Sequence, residues 1–189
     1  LANSLCHDVT LRFSDGVEHR VAVPPGVTVL DAALEQDVPL LFQCRSGTCS
    51  SCLAHVRDGP AAMRAGQASV LLASEAEAGA RLLCCTEVAG PCTFTLDYDS
   101  SASGAGPRKA RAFVDKVERI APDAVRLVLE LAEGESIDFR PGQFIQVRVP
   151  GTQVWRSYSV ASTPADLPNV ELLIRLLPGG AMSGWLTSE

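Results

Sequence analysis

The 189-residue sequence lacks an excess of positive charge, a long apolar run, and any arrangement of side chains built for nucleophilic or acid–base catalysis. Sixteen Lys and Arg stand against 22 Asp and Glu, a net charge of −6. That excludes nucleic acid as an expected partner, because phosphate backbones demand basic patches. No apolar stretch approaches the roughly 20 residues of a membrane-spanning helix, so no membrane partner is expected. No secretory leader is expected, which points to the reducing cytoplasm and to cysteines kept as thiols. With no triad or nucleophile motif, the expected set of catalytic side chains is empty. His7, His19 and His55 form no C-x-H pair, which a Rieske centre would need. The first residue is Leu1 rather than Met, so a short N-terminal piece is expected to precede it.

Cysteine is not lacking: there are seven. Cys44, Cys49 and Cys52 follow the spacing C-x₄-C-x₂-C, with Cys84 and Cys85 adjacent further on. Three close cysteines and a distant fourth is the spacing that holds a plant-type [2Fe–2S] cluster, a one-electron carrier. Each iron takes two protein thiolates, so four must converge. Gly47 gives the loop backbone angles barred to other residues, turning N–H groups inward, and Ser46, Ser50 and Ser51 keep the approach open. A structural zinc site usually shows two C-x₂-C pairs, and only Cys49 and Cys52 are so spaced. A thioredoxin-like C-x-x-C leaves Cys44 unexplained. An odd cysteine count without a leader argues against a disulfide framework. Cys6 and Cys92 read as ordinary thiols.

Periodicity divides the chain. Val9, Leu11 and Phe13 alternate before Ser14-Asp15-Gly16, and Val21 and Val23 after it, which predicts a hairpin. Thr28-Val29-Leu30-Asp31 resembles a capping box opening a helix with Leu30, Ala33 and Leu34 on one face. A short helix is expected over Ser69–Glu77 and closing strands over Arg81–Val88 and Thr93–Asp97. Together these predict a small β-grasp sheet with a helix across it. Residues 1–98 hold 6 Arg against 11 Asp and Glu, a net −5, an acidic balance suited to steering toward a basic redox partner.

Ser100 to Pro107 is rich in small residues and reads as a linker, giving expected domains of 1–98 and 110–189 joined by 99–109. Gly104-Ala105-Gly106 is no dinucleotide fingerprint, since Pro107 follows and the third glycine is missing. Beyond it, strands are expected over Phe113–Ile120, Ala124–Leu131, Gln143–Val149, Ser157–Ala161 and Val170–Leu177, with a helix from Ala181 to Leu186. Several short strands with turns between them predict a barrel or sandwich.

On these residues the first half resembles a plant-type ferredoxin, whose C-R-x-G-x-C-x-x-C loop is met by Cys44 through Cys52. Both Leu82-Leu83-Cys84 and Leu83-Cys84-Cys85 fit the family's pattern before the fourth ligand. The x-T-E that follows it in related reductases matches Cys85-Thr86-Glu87 and selects Cys84, leaving Cys85 an ordinary thiol. Adjacent side chains on a strand face opposite ways, so only one should reach the cluster.

The second half resembles the flavin domain of the ferredoxin–NADP⁺ reductase family in three segments. These are Arg140-Pro141-Gly142-Gln143-Phe144, then Arg156-Ser157-Tyr158-Ser159-Val160-Ala161-Ser162, then Arg175 with Gly179-Gly180-Ala181-Met182-Ser183. The resemblance implies an FAD site formed by Arg156, Ser157, Tyr158, Ser159, Arg175, Gly180, Met182 and Ser183. Arg156 would bind phosphate, Tyr158 stack on the isoalloxazine, Ser159 donate to its edge, and Ser183 meet the diphosphate at a helix start. The plainer reading makes Arg156 and Tyr158 half-exposed strand residues.

Ferredoxin first and flavin domain second resembles the NADH-dependent reductase components of bacterial aromatic-ring dioxygenases and soluble multicomponent monooxygenases. The expected fold is α+β: a β-grasp [2Fe–2S] domain, then a mostly antiparallel β-barrel FAD domain, incomplete at its C-terminal end. The resemblance implies electrons passing from NADH through FAD to the cluster, then to an oxygenase component or an intermediary ferredoxin. The family's nicotinamide domain has no counterpart before Glu189, so the chain is expected to be a fragment and NADH to bind only the intact polypeptide. Alternatives are a stand-alone ferredoxin-like carrier, a same-architecture reductase serving a deoxysugar system, and a zinc-stabilised binding module.

Overall fold

The computed structural model describes residues 6–66, 69–103, 108–140 and 142–188. Outside them lie Pro141 of the P-G-Q-F segment, residues 104–107 of the expected linker, and Glu189. The chain divides into two compact units, Leu1–Gly106 and Pro107–Glu189.

In the first unit, strands β1 (His7–Arg12) and β2 (Glu18–Val23) form the expected hairpin, with Val9 opposite Val21. Gly16 supplies the positive φ of 84° that the turn requires. Helix α1 (Val29–Glu35) starts where Thr28 Oγ1 accepts the Asp31 N–H at 3.1 Å. Only that half of the expected capping box forms, because the Asp31 carboxylate pairs with Arg45. The cysteine loop leads to β3 (Leu53–Asp58), β4 (Ala61–Met63), α2 (Ala73–Glu77), β5 (Ala80–Leu82), β6 (Thr86–Val88) and β7 (Cys92–Thr95).

The main sheet runs β2-β1-β7-β3-β5, with β1 and β7 parallel at its centre and the other neighbours antiparallel. β4 and β6 form a separate antiparallel pair. α1 presents Val29, Leu30 and Ala33 to the apolar side chains Val9, Leu11, Val21, Leu82 and Phe94, all buried in one core. This is the expected β-grasp arrangement. Two expectations need correction. α2 begins at Ala73 rather than Ser69, held where Glu75 accepts the Leu72 N–H at 2.8 Å. The stretch from Arg81 to Val88 is not one strand: Leu83, Cys84 and Cys85 form a turn between β5 and β6, closed by the Cys85 N–H donating to Leu82 O at 2.8 Å. Strand alternation therefore does not apply to Cys84 and Cys85.

Asp99 and Ser100 are fastened to the hairpin turn of the first unit. Ser14 Oγ donates to Asp99 at 2.5 Å, and the Ser100 backbone N–H and Oγ donate to Asp15 at 3.0 and 2.7 Å. Composition alone concealed this, because short polar side chains serve a turn as readily as a linker.

In the second unit, β8 (Ala112–Ala121) and β9 (Ala124–Leu131) pair as a hairpin, and β12 (Asn169–Arg175) lies antiparallel on the other side of β9. β10 (Phe144–Arg148) pairs antiparallel with β11 (Trp155–Ser159). A bridge between Val160 and Leu172 joins the two sheets. Val125, Leu127, Val170, Leu172 and Ile174 point into the core with the period of two that a half-buried sheet demands. Met182 and Leu186, one turn apart on α3 (Ala181–Ser188), close over it. Among the described residues no helix is long and apolar enough to cross a membrane.

Candidate metal centre and flavin site

The cysteine loop carries three residues with positive φ: Arg45 at 52°, Gly47 at 81° and Ser50 at 55°. Two are not glycine, and an L-residue pays roughly 1–3 kcal/mol for such a conformation unless its surroundings enforce it. Arg45 is enforced. Its guanidinium is paired with Asp31 at the start of α1 and lies 5.8 Å from the centre of the Phe42 ring. Tyr98 Oη accepts the Leu41 N–H at 3.1 Å and fixes the chain entering the loop. Sequence reasoning foresaw the role of Gly47 but not these supports, because Asp31 and Tyr98 are remote from the loop in sequence.

The result is a loop whose N–H groups face sulfur. Ser46 and Thr48 N–H groups each donate to Cys44 Sγ at 3.4 Å, and the Cys44 N–H donates to Cys49 Sγ at 3.4 Å. The Gly47 N–H helps to lower the Cys84 thiol. The thiols fall into two groups: Cys44 beside Cys49, and Cys84 beside Cys52 and Cys85. Burial opposes ionisation of Cys44, yet hydrogen bonds from Ser46 and Thr48 bring its thiol down to about 6. Hydrogen bonds from the Cys52 and Cys85 thiols bring Cys84 down to about 3, and the same contact pushes Cys52 up.

Among the described residues no three Cys, His, Asp or Glu side chains gather as ligands of a single ion. A binuclear cluster asks for something else, two thiolate pairs spread over two irons, and donors aimed at sulfur stabilise its negative charge. The two groups of thiols and their N–H donors fit that cluster. Cys85 is a surprise: its Sγ lies 3.5 Å from that of Cys84, because the turn brings both thiols together. Cys6 and Cys92 lie outside these groups.

In the second unit, Arg156, Ser157, Tyr158 and Ser159 follow one another along β11, opposite Val147, Gln146, Ile145 and Phe144 of β10. Tyr158 is half-buried, and burial raises its phenol while the Arg156 charge beside it pulls the other way. Arg156 Nη1 donates to Trp155 O at 2.8 Å. Arg175, at the end of β12, donates from Nε to Asp123 at 3.2 Å. Gly180 stands just before α3, where an added Cβ would come within 3.0 Å of Ser183 Oγ and 3.2 Å of Leu177 O. Ser183 Oγ accepts the Leu177 N–H at 2.8 Å, leaving its own proton to donate. Met182 is buried in the core, so it offers a ligand only its backbone. The first-turn N–H groups of α3 have no partner within the helix and favour an anion. An aromatic face beside a guanidinium, and a tight glycine turn opening a helix, suit a flavin and its diphosphate.

The two units define an iron–sulfur flavoprotein. Residues 12–89 match the 2Fe-2S iron-sulfur cluster binding domain and residues 111–189 the oxidoreductase FAD-binding domain, so the cofactors are a [2Fe–2S] cluster and FAD. The chain is similar to reductase, or electron transfer, components of monooxygenases and dioxygenases. It is 35% identical over 174 residues to the reductase component of propane 2-monooxygenase from Gordonia sp. strain TY-5, covering 90% of this chain and 50% of that one. It is 34% identical over 182 residues to the anthranilate 1,2-dioxygenase electron transfer component of Acinetobacter baylyi, covering 95% and 53%. Among solved structures, the Amycolatopsis cytochrome P450 reductase GcoB aligns with a TM-score of 0.64 at 30% identity, over 94% of this chain and 52% of that one. The ferredoxin reductase in carbazole 1,9a-dioxygenase aligns at 0.69 with 21% identity, over 96% and 54%, a likeness of fold. The chain spans about half the length of the curated relatives it matches.

Proposed function

We propose that this chain is the flavin- and cluster-bearing part of a cytoplasmic reductase. In the intact protein it takes electrons from NADH and delivers them to an oxygenase acting on an aromatic or hydrocarbon substrate, directly or through an intermediary ferredoxin. The observation that carries the reading is the two sets of thiols under inward-facing N–H groups, in one chain with a flavin-type unit. When bound, FAD accepts an electron pair as hydride and the cluster carries single electrons.

The protein's own residues bind, orient and tune. We assign Cys44, Cys49, Cys52 and Cys84 as the residues that would hold the cluster. N–H groups of Ser46, Gly47 and Thr48 offset charge on the ligand sulfurs. In the flavin unit we assign phosphate binding to Arg156 and Arg175, and stacking on the isoalloxazine to Tyr158. Ser157 and Ser159 serve the ring edge. Gly180, the backbone of Met182, and Ser183 hold the diphosphate at the start of α3. The relatives' names support an oxygenase as acceptor, and the acidic balance of residues 1–98 supports docking through charge.

Protein purified without added cofactors should show the visible bands of a [2Fe–2S] cluster together with flavin absorption. A colourless protein holding stoichiometric zinc would refute the redox reading, and a cluster without flavin would favour a simple carrier. Cys84→Ser should lose the cluster while Cys85→Ser keeps it; the reverse result would move the fourth ligand to Cys85.

A further inference from the structure

Cys85 is wholly buried, and nothing in the proposed electron path uses it. Its backbone is held on both sides: its N–H donates to Leu82 O at 2.8 Å and its carbonyl accepts the Arg64 N–H at 2.8 Å. Thr86, also buried, pins the turn by donating from Oγ1 to Leu82 O at 2.8 Å. The turn thereby presents two neighbouring thiols on the same side, with Sγ atoms 3.5 Å apart.

We infer that Cys85 is a tuning residue for the iron–sulfur centre, donating a thiol hydrogen bond to the ligand sulfur of Cys84 and raising the cluster's reduction potential. The inference rests on Cys84 being the fourth ligand. A ligating Cys84 is a thiolate with no proton to give, so the only S–H in the pair belongs to Cys85. A hydrogen bond to a ligand sulfur stabilises whichever state carries more negative charge. That state is the reduced one, and burial strengthens the effect by excluding water. The donor adds to the backbone N–H of Gly47, which also helps to lower the Cys84 thiol.

The test uses the cofactor-loaded chain. Cys85→Ala and the better-filling Cys85→Val both remove the donor, whereas Cys85→Ser keeps one. Midpoint potentials are measured by spectroelectrochemical titration, and the Fe–S(Cys) stretch by resonance Raman. The Ala and Val variants should keep the cluster while its reduction equilibrium falls about tenfold, ~59 mV for one electron. Their Fe–S(Cys) band should move to higher frequency as the bond to sulfur loses its hydrogen bond. The Ser variant should lie nearer the parent on both measures. An unchanged potential in a donorless variant that retains its cluster, or an equal shift in all three, overturns the inference and leaves Cys84 as ligand. Loss of the cluster from all three, with Cys84→Ser retaining it, overturns the ligand assignment itself.

Discussion

Asp31→Ala removes the carboxylate that holds the cysteine loop against α1, and its cost can be worked from the surroundings. The Arg45 side chain is 10% exposed and Asp31 28%. Breaking a fully buried ion pair by deleting one partner costs about 3–5 kcal/mol, because the remaining charge is stranded. Partial exposure of Asp31 admits water and screening, which reduces the figure to about 2–3 kcal/mol. The helix keeps its cap, since Thr28 Oγ1 binds the Asp31 backbone and not its side chain. The loss therefore falls on the loop, where Arg45 must also hold a φ of 52°. The ratio of closed to open loop should drop roughly 30- to 140-fold, read as faster bleaching of the visible bands in the presence of an iron chelator. Asp31→Ala/Arg45→Ala should bleach more slowly than Asp31→Ala, because the stranded charge is gone. Equal bleaching rates in parent and Asp31→Ala, or a double variant worse than the single, would refute the reasoning.

Gly59→Ala places a Cβ 2.1 Å from Pro91 O and 2.7 Å from Cys92 Cα at a φ of 92°. Left-handed strain and overpacking together should cost about 2–5 kcal/mol, and a parent-like urea midpoint would contradict this. Arg156→Ala should lower the flavin-to-protein ratio after desalting, and an unchanged ratio would count against the assigned phosphate contact. Burial raises the Tyr98 phenol above its ordinary value, with the Leu41 N–H opposing. Its contribution to stability is therefore complete below about pH 10 and lost as pH rises through the higher folded value. Tyr98→Phe should flatten that alkaline limb in denaturation measured against pH, and an unaltered limb would disprove the effect.

What could be read from the sequence was what local chemistry dictates. The hairpin was legible because Val9, Leu11, Val21 and Val23 alternate about a Gly turn, and the strands of the second unit because Val125 to Leu129 and Val170 to Ile174 do the same. The spacing of Cys44, Cys49 and Cys52 placed all three in one loop ahead of β3. The turn at Leu83–Cys85 was not legible, since it contains no Gly, Pro, Asn or Asp to mark it. Nor were the positive φ values of Arg45 and Ser50, the first of which its remote partner Asp31 imposes against local preference. Asp31 read as half of a capping box, and only the folded chain shows its carboxylate committed to Arg45. On α3, Met182 belongs to the core as much as to any ligand, a division that a motif does not reveal.

The parallel pairing of β1 with β7 sets Val9 beside Cys92 at the centre of the first unit's sheet. During synthesis the first of these strands must wait for the last. At about 5–20 residues per second, β7 follows β1 by roughly 4–17 s, and the cysteine loop lies between them. Cys52 precedes Cys92 by 40 residues, so for roughly 2–8 s of that interval the loop thiols stand without a finished sheet beneath them. Closure of so distant a contact is also intrinsically slow. The chain thus passes through a window in which its loop cysteines are open to iron delivery and to oxidation alike, and folding then buries Cys52 while Cys44 and Cys49 stay partly exposed.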